Sequence, residues 1–438
     1  MADSRPAPVA FSQRPRLSSA GTACPVARRP PFRHDRPPWS PSRGRTGLAV
    51  LVLAYLAFVS LGLPDGLLGV AWPSIRVDLT VPTEAVGLLL TSATVGYLVS
   101  SVVAGFSIAR IGVGWLLAGS TALASLALAG YAGAPALPVM IGCALVLGLG
   151  SGAIDAGLNA YAAGAFGPRQ MNWLHACFGL GVAIGPLVMT SVLGVGLGWR
   201  WGYGIVAVAQ AALALAFVLT VRTWERRGAP GPDEPTPVPE TPAAPLPVRA
   251  TLALPAVWFG ALTFAVYVAI EVAAGLWAYL LLTEDRGLSG TVAGLCVSLY
   301  WGSLFLGRVV QGFVAERLGT RTVLRGSMYA MTLGSALVAV PGPGWLAVLG
   351  LAVLGFGAAA VFPLLTLGTA ERVGQRHADR TIGLQIGASG LGGALIPGGL
   401  GVLIGRTSVA VLGPALVLLC LAMLALYWAS RHRAAPGS

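Results

Sequence analysis

From Gly47 to Ser430 the chain is a succession of apolar runs separated by short polar breaks. One helical crossing of a bilayer needs about 20 apolar residues. Twelve runs of that kind can be marked, at 47–72, 83–107, 113–132, 137–163, 171–196, 201–221, 254–282, 290–315, 323–340, 344–370, 381–404 and 409–430. A membrane β-barrel would instead alternate strictly over strands of about 10 residues, so the pattern excludes one. Charged residues make up 10% of the sequence, where a soluble domain carries roughly 25%. That is too little charge to cover a water-facing surface. The expected class is an all-α membrane protein with twelve transmembrane helices.

The 28 basic residues are all arginines, and their distribution encodes orientation. Nine lie in residues 1–46, a Pro- and Ser-rich segment that reads as a disordered basic tail. With the N-terminus in the cytoplasm, 23 arginines fall inside and four (Arg76, Arg200, Arg286 and Arg406) fall outside. The expectation is a multi-pass protein of the cell (inner or plasma) membrane with both termini cytoplasmic. The net charge of +12 then reflects topology and lipid contact, and no nucleic acid partner is expected. Residues 222–250 form a Pro-rich linker, dividing a six-helix bundle at 47–221 from a second at 251–430, with a short cytoplasmic tail at 431–438. The cysteines, Cys24, Cys143, Cys177, Cys296 and Cys420, lack the spacing of metal ligands. No metal and no cofactor are expected, and the default oligomeric state is a monomer.

The two bundles are internal repeats. Gly105–Leu117 aligns with Gly312–Leu324 at an offset of 207, and the same offset places Leu147, Gly148 and Gly150 on Leu354, Gly355 and Gly357. Two separate matches at one offset indicate duplication. In duplicated bundles of this kind the solute binds near the membrane midplane between the halves. Phe362 stands at the repeat position of Asp155, so only one half carries that acid.

Isolated polar groups inside the apolar runs carry the functional signal, because an ionisable side chain at membrane depth marks a transport pathway by default. Asp65 follows Pro64, whose missing N–H is expected to kink or loosen the first helix. Asp65 then either serves transport or bonds backbone amides freed at the kink. The fourth run puts Gly148, Gly152, Asp155 and Asn159 on one stripe: the glycines let two helices touch, and the carboxylate and amide follow. Asp155 is the leading candidate to take up and release a proton. In the fifth run Asn172, His175 and Gly179 share a face. His175 is either a partner of an acid in a proton relay, a ligand for sugar hydroxyls, or a solvated helix-end residue. Tyr267 and Glu271 lie one turn apart in the seventh run, with Trp277 beyond them. Trp301 and Arg308 face alike in the eighth, and the eleventh offers Gln385 and Ser389. Arg308 either pairs with an acid or extends to the nearby surface. No Walker loop and no hydrolytic or redox constellation is present, so an enzyme is not expected.

The loop Gly312–Arg321, with Glu316, Arg317 and Arg321, is similar to the signature between the second and third helices of each half in the major facilitator superfamily. The first-half copy around Gly105 and Arg110 departs from it, with Ala109 in place of the acid and Gly114 in place of the second basic residue. Gly181-x-x-x-Gly185-Pro186 resembles a glycine–proline motif linked to antiporters and also found in sugar carriers. The resemblance implies the major facilitator fold with two pseudo-symmetric halves. It further implies conformational or gating roles for Gly105, Arg110, Gly185, Pro186, Gly312, Glu316, Arg317 and Arg321, with Arg308 beside them. Within the superfamily, Asp65, Asp155 and the run Asn172, His175, Phe178, Gly179 resemble the fucose–proton symporter (sugar permease) branch. That implies acids in the first and fourth helices coupling protons to sugar recognition.

The resulting expectation is proton-coupled symport of a sugar or related small polar solute. Asp65 and Asp155 handle the proton, while Asn159, Asn172, His175, Glu271 and Gln385 bond hydroxyls. Tyr267, Trp277 and Trp301 stack on the apolar sugar face. Proton-driven export of drugs or metabolites is the alternative, and a membrane sensor that moves nothing is a third.

Overall fold

The computed structural model describes residues 45–225 and 247–432. The basic tail up to residue 44, the middle of the expected linker (226–246) and the last residues of the C-terminal tail (433–438) lie outside the described residues. An apolar chain in lipid has no water for its backbone groups, so every N–H and C=O must be met internally, and helices do this within one segment. The described residues accordingly form helices and no strand. Before the undescribed segment come α1 (Arg45–Asp78), α2 (Val86–Gly133), α3 (Leu137–Ala165), α4 (Pro168–Gly194) and α5 (Trp199–Glu225). After it come α6 (Val248–Leu252), α7 (Pro255–Leu280), α8 (Gly290–Leu318), α9 (Thr320–Ala339), α10 (Gly344–Ala358), α11 (Val361–Leu367), α12 (Thr369–Val373), α13 (Gln375–Arg406) and α14 (Leu412–His432). Ten helices are long and apolar enough to cross a membrane.

Three elements differ from the sequence expectation. The second and third runs join into the 48-residue α2, broken only at Gly112, where φ is 79° and ψ is 163°. Only glycine takes that backbone at little cost, so the change of direction falls there. The tenth run is divided into α10, α11 and α12. Pro363 has no N–H for the Ala359 carbonyl four residues earlier, and just before it the Phe356 carbonyl near the end of α10 accepts from Gln311 Nε2 of α8, at 2.5 Å. Finally, α1 runs unbroken through Pro64 and Pro73. Pro64 leaves the Ser60 carbonyl, four residues earlier, without its helical donor, and Gln210 Nε2 of α5 supplies one at 3.1 Å in a buried position.

Glycines set how closely the helices pack. Gly62 and Gly66 of α1 face Gly181 and Gly185 of α4, and a Cβ on Gly185 would stand 2.6 Å from Leu63 O and 2.8 Å from Gly66 Cα. The Val182 carbonyl, which Pro186 deprives of its helical donor, is among the atoms nearest Gly66. The same device recurs at the repeat offset. A Cβ on Gly150 would lie 2.8 Å from Ser120 O and 3.0 Å from Ala124 N. One on Gly357 would lie 2.9 Å from Ser327 O and from Met331 N. All these contact residues are related by 207 positions, so the duplication seen in sequence is also one of contact geometry.

The helices before and after the undescribed segment meet at the end away from the termini, here called the closed end. Arg76 Nη2 of α1 pairs with Glu284 Oε1 beyond α7 at 3.2 Å. A Cβ on Gly69 would lie 2.8 Å from Gly275 O, and one on Gly87 would lie 2.9 Å from Gly398 Cα. Gly294 of α8 abuts Thr190 of α4. Backbone-to-backbone contact of this kind leaves no room for a side chain. We expect Gly185→Leu to lower the thermal stability of the detergent-purified protein by about 1–3 kcal/mol, the usual cost of overpacking. Gly105→Leu, where a Cβ meets nothing within 4 Å, should leave the melting temperature unchanged.

Candidate functional site

The stripe on α3 is brought against α2. Gly148 and Gly152 abut Ala93, Tyr97 and Ser100, which brings Tyr97 to Asp155: Tyr97 Oη donates to Asp155 Oδ2 at 2.5 Å. Asn159 Nδ2 donates to Asp155 Oδ1 at 2.9 Å and to its main-chain oxygen at 3.0 Å. Both carboxylate oxygens are therefore held. Sequence reasoning missed Tyr97; the available signal was a lone tyrosine followed one turn later by Ser100 and Ser101 in an apolar run.

Four further groups gather around the same central space. Asp65, near the middle of α1, is exposed, and no hydrogen bond or ion pair involves it among the described residues. It lies within electrostatic reach of Glu271 on α7 and of Tyr97. His175 of α4 is exposed, packs edge-on against Phe58 with ring centroids 5.3 Å apart, and lies within reach of Asp155 and Arg308. Glu271 accepts from Tyr267 Oη, and its Oε1 stands 4.0 Å from Arg308 Nη2. The arginine lies beside Gly179 of α4, where a Cβ would stand 3.7 Å from Arg308 Nη1, an ordinary contact. Exposure of Asp65 at mid-helix depth, with the helices in contact at the closed end, means that water reaches the space from the end holding the termini.

The other expected residues lie elsewhere. Trp277 is buried, donates from Nε1 to Pro397 O at 3.1 Å, and fills the notch at Gly401. Trp301 fills the notch at Gly275, and Tyr267 is fully buried. All three rings are buried rather than open to the central space, and for the two tryptophans the glycines opposite admit the ring edges. Gln385 is buried 2% exposed, with Oε1 accepting from Thr369 at 3.0 Å and Nε2 beside Gly260, away from the acids. Asn172 falls in α4 and its side chain is outside the described residues. At the end holding the termini, Gly105, Arg110, Gly312, Glu316 and Arg317 are exposed. Arg321 Nη2 pairs with Glu371 Oε2 at 2.9 Å, with side chains 68% and 65% exposed. An ion pair that exposed contributes little to stability. Gly185 and Pro186 pack on α1 as described. No group of three His, Cys, Asp or Glu residues that could hold a metal ion occurs among the described residues.

A helical membrane frame with one water-reached space, lined from both sides by ionisable groups, suits a passage for solutes. The sequence matches the family model of the Major Facilitator Superfamily over residues 54–397 and 259–437. The chain belongs to the Major Facilitator Superfamily. It is a multi-pass membrane transporter rather than an enzyme. No curated protein matches it. Among solved structures it is similar to a nucleoside transporter, NupG, in a mutant form. There the TM-score is 0.70 at 17% identity, covering 87% of this chain and 100% of that one. It is also similar to the peptide transporter POT in a mutant form in complex with sulfate, with TM-score 0.70 at 15% identity, covering 89% and 96%. A third is a bacterial homologue of the human lysosomal transporter Spinster, in an inward-facing and unoccupied conformation, with TM-score 0.69 at 16% identity, covering 89% and 98%. At these identities the likeness is one of fold.

A hydrogen bond to a charged group is worth about 1.5–3 kcal/mol. Tyr97→Phe should therefore destabilise the protein by an amount in that range. In an Asp155→Leu background the same change should cost much less, because the acceptor is gone. A double-mutant cycle by thermal unfolding reads the difference.

Proposed function

We propose that this transporter works by alternating access and couples proton movement to uptake of a small polar solute, such as a sugar, by symport. The observation that carries the reading is the pairing of ionisable groups across the central space: Asp65 of α1 opposite Glu271 of α7, and the Asp155–His175 pair opposite Arg308. Carboxyl groups reached by water from one end can load a proton there and present it elsewhere once the halves rock. The resemblance to the fucose–proton symporter branch at Asp65, Asp155 and His175 supports a sugar-like solute. The solved relatives named as nucleoside and peptide transporters support the use of this frame for polar cargo. Burial of Trp277 and Trp301 weighs against the large aromatic cavity that drug export would want.

In this reading the chain crosses the plasma or inner membrane twelve times, six in each half, around the linker. At 1.5 Å per residue α2 is roughly 70 Å long, more than twice the hydrocarbon core of about 30 Å. It supplies two crossings divided at Gly112, and α9, with Arg321 and Arg325 at its start, supplies the twelfth. The arginine distribution puts both termini in the cytoplasm, so the conformation described is closed outside and open inside. The protein works as a monomer, with protons and a small-molecule substrate as partners and the lipid bilayer around it.

The test is uptake of labelled sugars, polyols and nucleosides into proteoliposomes under an imposed pH gradient. At least one solute should accumulate with the gradient and stop when a protonophore collapses it. Asp155→Asn should reduce this accumulation by about tenfold or more, the equivalent of roughly 1.4 kcal/mol, while solute exchange at equal pH persists. Gradient-independent uptake that survives Asp155→Asn overturns the coupling.

A further inference from the structure

One phenol stands between two acceptors. Tyr267 Oη lies within hydrogen-bonding range of Glu271 Oε2 and also 3.0 Å from the carbonyl oxygen of Ala358. A tyrosine has a single hydroxyl hydrogen. If Glu271 is ionised, that hydrogen can serve the carboxylate or the carbonyl but not both, and the other oxygen faces a lone pair. If Glu271 is protonated, both contacts are satisfied: the acid donates to Tyr267 Oη, and Tyr267 donates to Ala358 O. The phenol is fully buried, so water cannot make up the missing hydrogen.

Ala358 is the last residue of α10, where the tenth apolar run breaks before α11. Helix ends leave carbonyls that need outside donors. At this one, Gln311 of α8 serves Phe356 O and Tyr267 of α7 serves Ala358 O. The Gln311 amide is held in turn, its Oε1 accepting from Ser327 Oγ at 2.8 Å. The Tyr267 contact is therefore the adjustable one. Glu271 Oε1 and Arg308 Nη2 stand 4.0 Å apart, longer than the N···O distance of about 2.8 Å usual in a charged, hydrogen-bonded pair, so there is room for the two to close.

We propose that Glu271 is a proton-binding site whose state is passed by Tyr267, as a positioning residue, to the break between α10 and α11. This rests on the transport reading above and extends it to a residue of the second half. Uptake of a proton on Glu271 Oε2 turns the Tyr267 hydrogen toward Ala358 O and holds the break as described. Loss of the proton turns that hydrogen back to the carboxylate, lets Glu271 close on Arg308, and leaves the Ala358 carbonyl without its side-chain donor. The segment α11–α12, with Leu367 at its edge, is then released to move. No other bond is made or broken. The groups facing Glu271 are Asp65 from α1, Tyr300 and Arg308 from α8, and Tyr267 on its own helix. Tyr300 Oη donates to the Glu271 main-chain oxygen at 2.8 Å. The α10–α11 side presents only the Ala358 carbonyl and the Phe362 ring, which packs against Tyr267.

The test is independent of the cargo, since the proton is the probe. Spin labels at Ile111→Cys and Leu367→Cys, both exposed, are placed in the full chain with its five native cysteines replaced by alanine. The distance between them is measured by pulsed electron resonance from about pH 4 to about pH 9, wide enough to titrate a carboxyl in polar or apolar surroundings. Wild type should shift its distance population with pH. Glu271→Gln should hold the low-pH population throughout, and Tyr267→Phe should abolish the shift. The Glu271 contribution to the protonated-carboxyl infrared band lost on raising pH, taken as the difference between wild type and Glu271→Gln, should persist in Tyr267→Phe, which separates a broken relay from a misfolded site. A wild-type distance indifferent to pH, or a wild-type shift retained in either variant, overturns the proposal. So does a protonated-carboxyl band that Glu271→Gln leaves unchanged in intensity. Failure of the uptake experiment alone would sink the transport coupling and leave these distances as they are.

Discussion

A carboxylate inside a membrane protein needs either hydrogen-bonded partners or water, and the central architecture follows from that requirement. Placing an aspartate at the centre of a membrane helix costs about 2.5–3.5 kcal/mol on insertion scales. Two hydrogen bonds to a charged group, at about 1.5–3 kcal/mol each, offset that cost. Asp155 has such a pair in Tyr97 and Asn159. Glu271 has Tyr267 and the more distant Arg308. Asp65 has neither, and it is the one left exposed. Three acids thus meet the same demand in three ways, and the unpartnered one marks where water enters.

Those partnerships depend on how near the helices can come. Between lipid-exposed helices there is no hydrophobic drive to associate, so packing rests on small residues that let backbones touch. Tyr97 reaches Asp155 because Gly148 and Gly152 seat α3 against α2. Gly62 and Gly66 likewise let α1 meet α4 at Gly181 and Gly185. The prolines follow the same logic. Pro64 removes a backbone donor, and Gln210 of the neighbouring α5 serves the Ser60 carbonyl it leaves.

The repeats share this scaffold but differ in their polar groups. Gly150 and Gly357 touch equivalent backbone atoms in the two halves. Where the first half has Asp155 and Tyr97, the second has Phe362 and Leu304 at the same offset. Phe362 packs edge-on to Phe264 at 5.2 Å and against Tyr267, in a site that is apolar where its counterpart is charged. The second half carries its acid on α7 instead, and only its counterpart of α3 breaks, at Ala359 and Ala360. Duplication kept the packing, and divergence redistributed the charge.

Much of the fold was legible in the sequence, because hydropathy over about 20 residues is a local property set by partition into lipid. The apolar runs, the Pro-rich interruption, the repeat offset and the isolated acids could all be read without coordinates. So could the glycine stripe that carries Asp155. What could not be read depended on which atoms of different helices come within about 3 Å of each other. Nothing local distinguishes Tyr97, which holds Asp155, from the tryptophans, which fill glycine notches; side-chain type was the same guide in both cases and succeeded in neither. Likewise Pro64 signals a missing hydrogen bond, yet only the tertiary structure shows that Gln210 replaces it and that α1 continues as a helix through the gap. The chain alone determined its membrane fold and where its charges are scarce. The packing of helix against helix decided which of those charges meet, since contact across helices depends on the atoms that close the gap.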